Sequence, residues 1–336
     1  MSVKKLAEHQ LDTQDVRIFC GQSHPVLAQS IADDLGVPLE KTHFRRFGND
    51  CLEVQLGASV RSRTVYIVQT VSKPVDQHLM ELLVMLDIAR SAGAVNIHAI
   101  IPYFAYARSD KKDAPRISIT ARLVADLLKT AGATHIMTMT LHSPQVHGFF
   151  SVPTDVLTAR KDIARYFQNN DKYDLSQTVV VSPDVGHAKS ATRFAEMLNL
   201  PVLAASKERI SDTEVKVGGL PDEAVRKYQR ALVYDDEIST GGSIFAVSQE
   251  LARLGIKEII PICTHGAFSS ETFERLGQLP EIVEIVATDT LPMPKNPPPH
   301  LTIRPVAHIF GEAIWRNATR QSIGELFTGW KDLDDI

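Results

Sequence analysis

The chain reads as an α/β protein of two similar units, each with a mainly parallel sheet covered by helices. Three observations lead there. Short apolar runs rich in Val and Ile alternate with helical patterns almost throughout, and strands buried on both faces read as such runs. Thr64–Pro102 and Ala231–Pro261 repeat one order: strand, loop, helix, Gly, strand, Pro. Finally, 336 residues are enough for two domains, each with its own core.

The strands are expected at Val16–Cys20, Val65–Gln69, Ile97–Ile101, His135–Met139, Val179–Val181, Val202–Ala204, Ala231–Tyr234, Ile259–Cys263 and Ile282–Ala287. Leu79, Leu82, Leu83 and Leu86 recur at helical spacing before Gly93, and Ile244, Val247, Leu251 and Leu254 do so before Gly255. The polar, turn-rich stretch from Gln168 to Asp174 lies in the region expected to separate the units. We expect an N-terminal domain over 15–160, a C-terminal domain over 161–305, and a helix and tail over 306–336. The prolines at 297–299 restrict the chain near the second of these boundaries, and Asp332–Ile336 reads as a frayed acidic tail.

Hydrophobic content of 44% and charged content of 23% are those of an ordinary soluble protein. Net charge is −4, with 36 basic and 40 acidic residues intermixed, which points to neither nucleic acid nor a membrane surface. No apolar run approaches a transmembrane length, and the first ten residues are no signal peptide. Cys20, Cys51 and Cys263 are scattered without metal spacing, as expected of reduced thiols in the cytoplasm.

Residues 231–244 are the most informative stretch. An apolar strand runs into Asp235 and Asp236; a turn of Ser239, Thr240, Gly241, Gly242 and Ser243 follows, and a helix begins at its end. Small residues let backbone N–H groups wrap a phosphate, and the helix N-terminus adds favourable partial charge. Acids alone would repel a phosphate. A ligand satisfying both parts carries phosphate at one end and hydroxyls or Mg²⁺ at the other, as a sugar phosphate does. A plain βα turn with a solvated acidic pair is the simpler alternative, but the full pattern is more specific than a Gly-Gly turn. It lacks the Lys of a P-loop and the Gly-x-Gly-x-x-Gly of a dinucleotide site.

Four further stretches follow strands, where open α/β sheets place ligands. Pro102–Asp113 sets Arg108, Lys111 and Lys112 beside aromatic rings, which suits a nucleotide: rings for a base, cations for phosphates. On composition alone, a solvated charged loop explains it as well. Thr140–Phe150 holds His142 and His147, a poor zinc pair without nearby Cys or carboxylate; one is expected to be functional and the other to pack or cap. Ser182–His187 offers Asp184, suited to Mg²⁺, to a ribose hydroxyl, or to capping the following helix. Ser206–Gly219 carries Lys207 and Arg209, read either as a solvated hairpin or as a mobile loop bringing cations onto a polyphosphate.

The 235–243 loop resembles the phosphoribosyl-diphosphate loop of the type I phosphoribosyltransferase fold. With Pro74–Leu83, Pro102–Arg108, Ala131–Thr134, Leu141–Phe150, Val181–Asp184 and Gln321–Phe327, the chain resembles the ribose-phosphate diphosphokinase family from about Val16 to Phe327. The resemblance implies two tandem type I phosphoribosyltransferase-like domains. It implies transfer of the β,γ-diphosphoryl group of ATP to the C1 hydroxyl of ribose 5-phosphate, with Mg²⁺ as cofactor. The N-terminal domain then serves ATP and the C-terminal domain ribose 5-phosphate. Catalysis would fall to Lys207, Arg209 and His142. ATP would be held by Phe47, Asn49, Arg108, Ser109, Asp110 and His142, with Phe47 stacking on adenine from a neighbouring subunit. Asp184, Asp235, Asp236, Ser239, Thr240, Gly241, Gly242 and Ser243 would hold ribose 5-phosphate, and His142 and Asp184 the metal. It also implies a homo-oligomer of dimers assembled into a hexamer or related form.

Some positions depart from the family pattern. Phe47-Gly-Asn-Asp-Cys replaces a Phe-Ser-Asp-Gly-Glu type segment. Thr140 replaces an acid, Ser109 a frequent Gln, His187 a second Gly, and Ser239 an Asp. A base-attaching phosphoribosyltransferase would share the loop but not the doubled fold. A non-catalytic associated subunit would be expected to lose the loop cations or metal ligands, which stand here.

Overall fold

The computed structural model describes residues 11, 15–209, 215–218 and 220–327. The N-terminal segment 1–10 and the tail 332–336 lie outside the described residues, as do the side chains of 206–219. The chain divides into two units: Met1–Thr158 with Thr290–Pro292 and Pro305–Phe327, and Ala159–Asp289 with Met293–Arg304 and Thr328–Ile336.

In the first unit the strands are β1 (Val16–Cys20), β2 (Leu39–Glu40), β3 (Thr42–Arg46), β4 (Leu52–Leu56), β5 (Thr64–Val68), β6 (Asn96–Ile101), β7 (His135–Met139) and β8 (Thr154–Leu157). Its helices include α1 (Pro25–Leu35), α2 (Val75–Ser91) and α3 (Thr120–Ala131). The sheet runs β2-β1-β5-β6-β7-β8 with every pairing parallel. Between β2 and β5 the chain makes a separate antiparallel ribbon, β3–β4.

The second unit repeats this plan with β9 (Thr178–Ser182), β10 (Val202–Ala204), β11 (Ser206–Arg209), β12 (Val215–Gly218), β13 (Arg230–Glu237), β14 (Glu258–His265), β15 (Ile285–Thr288) and β16 (Leu301–Arg304). Its helices are α4 (Arg160–Gln168), α5 (Ala188–Leu198), α6 (Asp222–Val225), α7 (Gly242–Arg253) and α8 (Thr272–Leu276), and α9 (Ala307–Ala318) belongs to the first unit. The sheet order β10-β9-β13-β14-β15-β16 is again parallel throughout. The ribbon β11–β12 occupies the same place in the order as β3–β4.

Burial on both faces explains the apolar runs. Ile18, Phe19, Ile67, Ile100 and Ile136 are fully buried in the first sheet, and Val179, Val181, Val233, Ile260 and Ile285 in the second. Helix α7 buries Ile244, Val247 and Leu251 as its spacing predicts. Helix α2 differs: its buried stripe is His78, Glu81, Leu82, Met85, Leu86 and Ala89, one residue out of phase with the leucine pattern. Two polar side chains lie in the stripe because they hydrogen-bond inside. His78 Nδ1 lies 2.8 Å from the Ser72 carbonyl oxygen, and Glu81 Oε2 accepts from Gln69 Nε2 at 2.9 Å. Strand β15 begins three residues later than expected, with Ile282 making an isolated bridge to Ile259. Among the described residues, no helix is long and apolar enough to cross a membrane.

Candidate active site

In both sheets the chain winds outward in opposite directions from one central pair, β1/β5 and β9/β13, and ligands of open parallel sheets gather at such reversals. In the second unit this point carries the acids. Strand β13 continues through Asp235 and Glu237, because Asp235 still pairs with Cys263 and Glu237 with His265 on β14. Asp235, Asp236 and Glu237 are therefore only 9%, 6% and 8% exposed, not solvated. Buried carboxylates need partners. Asp235 Oδ1 accepts from the Asp236 amide at 2.8 Å.

The chief partner is His187, which follows the β9 loop. Its Nδ1 lies 3.1 Å from Asp184 Oδ1, and its Nε2 lies 3.2 Å from Asp236 Oδ1. Nδ1 is also 3.8 Å from Asp235 Oδ1. The carboxylates of Asp184 and Asp236 beside it push the imidazole up to about 10, with the Asp235 charge adding to them and burial opposing. Burial holds the Asp235 carboxyl well above the usual carboxylate range, and Asp236 beside it adds to the effect. The result is a set of oxygen acceptors suited to sugar hydroxyls or to a hard divalent cation.

The turn beyond the acids is pinned from outside. The Ser239 carbonyl accepts from the Ser269 amide at 3.2 Å and from the Thr272 hydroxyl. The Thr240 carbonyl accepts from Arg275 Nη1 at 3.1 Å. Gly241 is left-handed at φ 73°, and a Cβ there would meet Thr272 Cγ2 at 3.2 Å. Helix α7 then opens with the Phe245 amide bonded to the Gly241 carbonyl at 2.8 Å, so the N–H groups of its first turn point out of the helix end. Thr272 and Arg275, which hold this turn, come from α8; nothing in the spacing of the sequence links them to it.

Lys207 and Arg209 fall two positions apart on β11, paired with Val217 and Val215 of β12, and their side chains lie outside the described residues.

In the first unit, Arg108 and His142 follow the adjacent strands β6 and β7 at their carboxyl ends. Arg108 is exposed and closes a single 3-10 turn, Ala105–Arg108. Ser109 fastens the loop after it: its hydroxyl donates to the Ser118 carbonyl at 3.3 Å and accepts from the Thr120 amide at 3.2 Å. Asp110 is half-buried, and Lys111 pairs with Asp113 at 3.6 Å. The expectation that rings of this stretch face a base needs correction. Tyr103 and Phe104 are buried at 8% and 3%, and the half-buried Tyr106 donates its hydroxyl to Asp76 Oδ1 at 2.8 Å. His142 is half-buried after Thr140, whose φ is 41°, and His147 Nε2 donates to the Thr154 carbonyl at 3.0 Å. Phe47 and Asn49 sit in the turn that joins β3 to β4. Phe47 is 42% exposed under the Arg45 guanidinium at 4.9 Å, and Asn49 Oδ1 accepts from the Cys51 amide at 3.2 Å.

Strand register equates the two reversals. Val16 opposes Thr64 where Thr178 opposes Arg230, so Gln22 stands where Asp184 does, and Gln69 where Asp235 does. In the first unit that place is filled. Gln69 Oε1 accepts from Ser23 Oγ at 2.6 Å, its amide bonds to the fully buried Glu81, and a Cβ on Gly21 would meet it at 2.2 Å.

Residues 16–132 match the family described as the N-terminal domain of ribose phosphate pyrophosphokinase. A Streptomyces coelicolor protein provisionally named ribose-phosphate pyrophosphokinase is 45% identical over 315 residues, covering 94% of this chain and 98% of its own. The ribose-phosphate pyrophosphokinase of Deinococcus radiodurans is 42% identical over 315 residues, 93% of this chain and 97% of its own. This chain belongs to the ribose-phosphate pyrophosphokinase family. The crystal structure of phosphoribosylpyrophosphate synthetase from Mycobacterium smegmatis superposes with a TM-score of 0.84 at 34% identity, over 91% of this chain and 99% of that one. The fold is thus a pair of type I phosphoribosyltransferase-like units, as the sequence predicts. His187 lies among the carboxylates of Asp184, Asp235 and Asp236.

Proposed function

We propose that this chain transfers the diphosphoryl group of ATP to ribose 5-phosphate, giving 5-phosphoribosyl 1-diphosphate and AMP for nucleotide biosynthesis. The arrangement at the β13–α7 junction carries the reading: acceptors for hydroxyls and a cation at one end, a helix N-terminus for phosphate at the other. Residues 239–243 hold the 5-phosphate, and Asp184, Asp235 and Asp236 hold the ribose hydroxyls. The C1 hydroxyl oxygen attacks the β-phosphorus, the bond from that phosphorus to the oxygen of the α-phosphate breaks, and AMP departs as the hydroxyl proton is lost. Phosphoryl transfer needs positioning and charge stabilisation more than covalent help. Phe47, Asn49, Arg108, Ser109 and Asp110 serve ATP from the N-terminal unit, with His142 on its phosphates. Lys207 and Arg209 stabilise the migrating group. Asp184 and His142 would hold Mg²⁺, which would neutralise phosphate charge; the carboxylate oxygens at Asp184 and its neighbours are donors of the kind such an ion takes. On this reading the protein works in the cytoplasm as a homo-oligomer.

The test is ³¹P NMR of the purified chain with ATP, Mg²⁺ and ribose 5-phosphate. AMP appearing together with a C1 diphosphate ester is expected. ADP would indicate an ordinary kinase, and no product from folded, ATP-binding protein would indicate a non-catalytic subunit; either overturns the proposal.

A further inference from the structure

The turn proposed for the 5-phosphate has a cation beside it to which the proposed reaction gives no task. Helix α8 lies against that turn. Thr272 and Leu276 face Gly241, with Thr272 Cγ2 at 3.2 Å and Leu276 Cγ at 3.5 Å from a Cβ placed there. Arg275, on the same short helix, reaches further along the turn and donates from Nη1 to the Thr240 carbonyl at 3.1 Å. A Cβ on Gly242 would stand 3.3 Å from that same Nη1 and 3.8 Å from Thr240 Oγ1. The backbone of Gly242 is not left-handed, so its conformation does not call for glycine. What the missing side chain leaves is a notch bordered by a guanidinium and a hydroxyl. It opens at the first residue of α7, where the helix presents its unbonded N–H groups.

Holding one carbonyl takes a single N–H, which a neutral donor could supply. A guanidinium brings five donors and a permanent charge, the chemistry that recognises phosphate. Its Nη2 lies 3.7 Å from Glu271 Oε2, but that carboxylate is exposed and binds the charge weakly. We infer that Arg275 is a further substrate-binding residue, whose guanidinium sets a fixed positive charge beside the 5-phosphate. It would make the site favour a sugar that carries a phosphate over the same sugar without one. The inference rests on the assignment of residues 239–243 to the 5-phosphate.

The experiment is calorimetric titration of the full chain with ribose 5-phosphate, in a buffer containing Mg²⁺ and no inorganic phosphate. Arg275→Gln keeps a donor for the Thr240 carbonyl and removes the charge; Arg275→Lys keeps the charge. Arg275→Gln is expected to weaken binding about tenfold, near the worth of one charge-assisted hydrogen bond, and Arg275→Lys by no more than about threefold. ATP affinity, measured on the same samples, should stay as in the wild type. Equal affinities for the sugar in the Gln and Lys variants would show that Arg275 only pins the turn, which overturns the inference. Loss of ATP affinity in Arg275→Gln would show a general effect on the fold and overturns it too. Gly241→Ala separates this failure from that of the site assignment. If Gly241→Ala weakens binding of the sugar and Arg275→Gln does not, the turn stands as the phosphate site and the inference falls. If neither variant alters the affinity, or the wild type binds no ribose 5-phosphate, the assignment beneath the inference is overturned.

Discussion

Lys207 and Arg209 occupy alternate positions of β11, so a strand that moves carries both cations together. Removing one well-placed donor from a site of this kind costs roughly 3–4 kcal/mol, or about 10²–10³ in rate. We expect Lys207→Ala and Arg209→Ala each to lower kcat by about that factor with little change in ATP affinity. Equal losses in kcat and in affinity would show that they merely bind the nucleotide. A second residue makes a pH prediction. His98 is 5% exposed, stacked on Tyr66 at 4.5 Å, and 5.1 Å from His135. Burial, with His135 nearby, lowers its pKa to about 3. Unfolded, it takes a proton below its ordinary 6.5, which the folded chain refuses. Stability is therefore intact above pH 6.5 and falls between 6.5 and 3, by up to about 1.4 kcal/mol per pH unit. Urea titrations of wild type and His98→Gln from pH 7 to 4 check this: the variant should lose less stability on acidification, and parallel losses would refute it. Asp235 and Asp236 stand out in the sequence as a motif. Their burial does not, because it depends on pairing with β14.

At the scale of elements, the β13–α7 turn depends on backbone shape at one residue. An L side chain at Gly241 meets both a left-handed φ of 73° and the Thr272 methyl at 3.2 Å. Left-handed backbone costs an ordinary residue roughly 1–2 kcal/mol. Gly241→Ala is expected to raise the KM for ribose 5-phosphate about tenfold while leaving that for ATP within about twofold. A variant that raises both alike would place the turn outside the sugar site. This turn was legible because strand, acids, glycines and helix follow one another along the chain. Its supports were not: Thr272 and Arg275 lie on a five-residue helix some thirty positions on. The β3–β4 ribbon also escaped the reading: Thr42-His-Phe-Arg-Arg has a single apolar residue, although Leu52-Glu-Val-Gln-Leu alternates apolar and polar residues as a half-buried strand does. The shifted stripe of α2 has another cause. His78 and Glu81 count as polar in any periodicity, yet hydrogen bonds to Ser72 and Gln69 bring them inside.

Over the whole molecule, the doubled plan shows how one chain assigns different work to two copies of a fold. The second copy keeps carboxylates at its sheet reversal; the first fills the equivalent place with Gln69, Ser23 and Glu81. The repeat of strand, helix and strand made the duplication legible, but not the return of the chain to its first unit for the last helix. Helix α9 buries Ile309, Phe310, Ala313 and Ile314 and packs on α1, where a Cβ on Gly311 would meet Asp34 Oδ2 at 2.1 Å. The Tyr66 hydroxyl donates to Asn317 Oδ1 at 2.9 Å, tying the helix to the sheet. Each large apolar side chain buried is worth about 1.5–3 kcal/mol, so Ile309, Phe310 and Ile314 together contribute roughly 5–9 kcal/mol before the entropy of ordering the helix. A domain's entire net stability is about 5–15 kcal/mol. The first unit therefore depends on residues made after the whole second sheet. A chain ended at Arg304 should leave β1, β5, β6 and β7 without protection in hydrogen-exchange mass spectrometry, while β9, β13 and β14 stay protected. Full protection of β5 and β6 in that truncated chain would mean that the first sheet holds its core without the C-terminal helix.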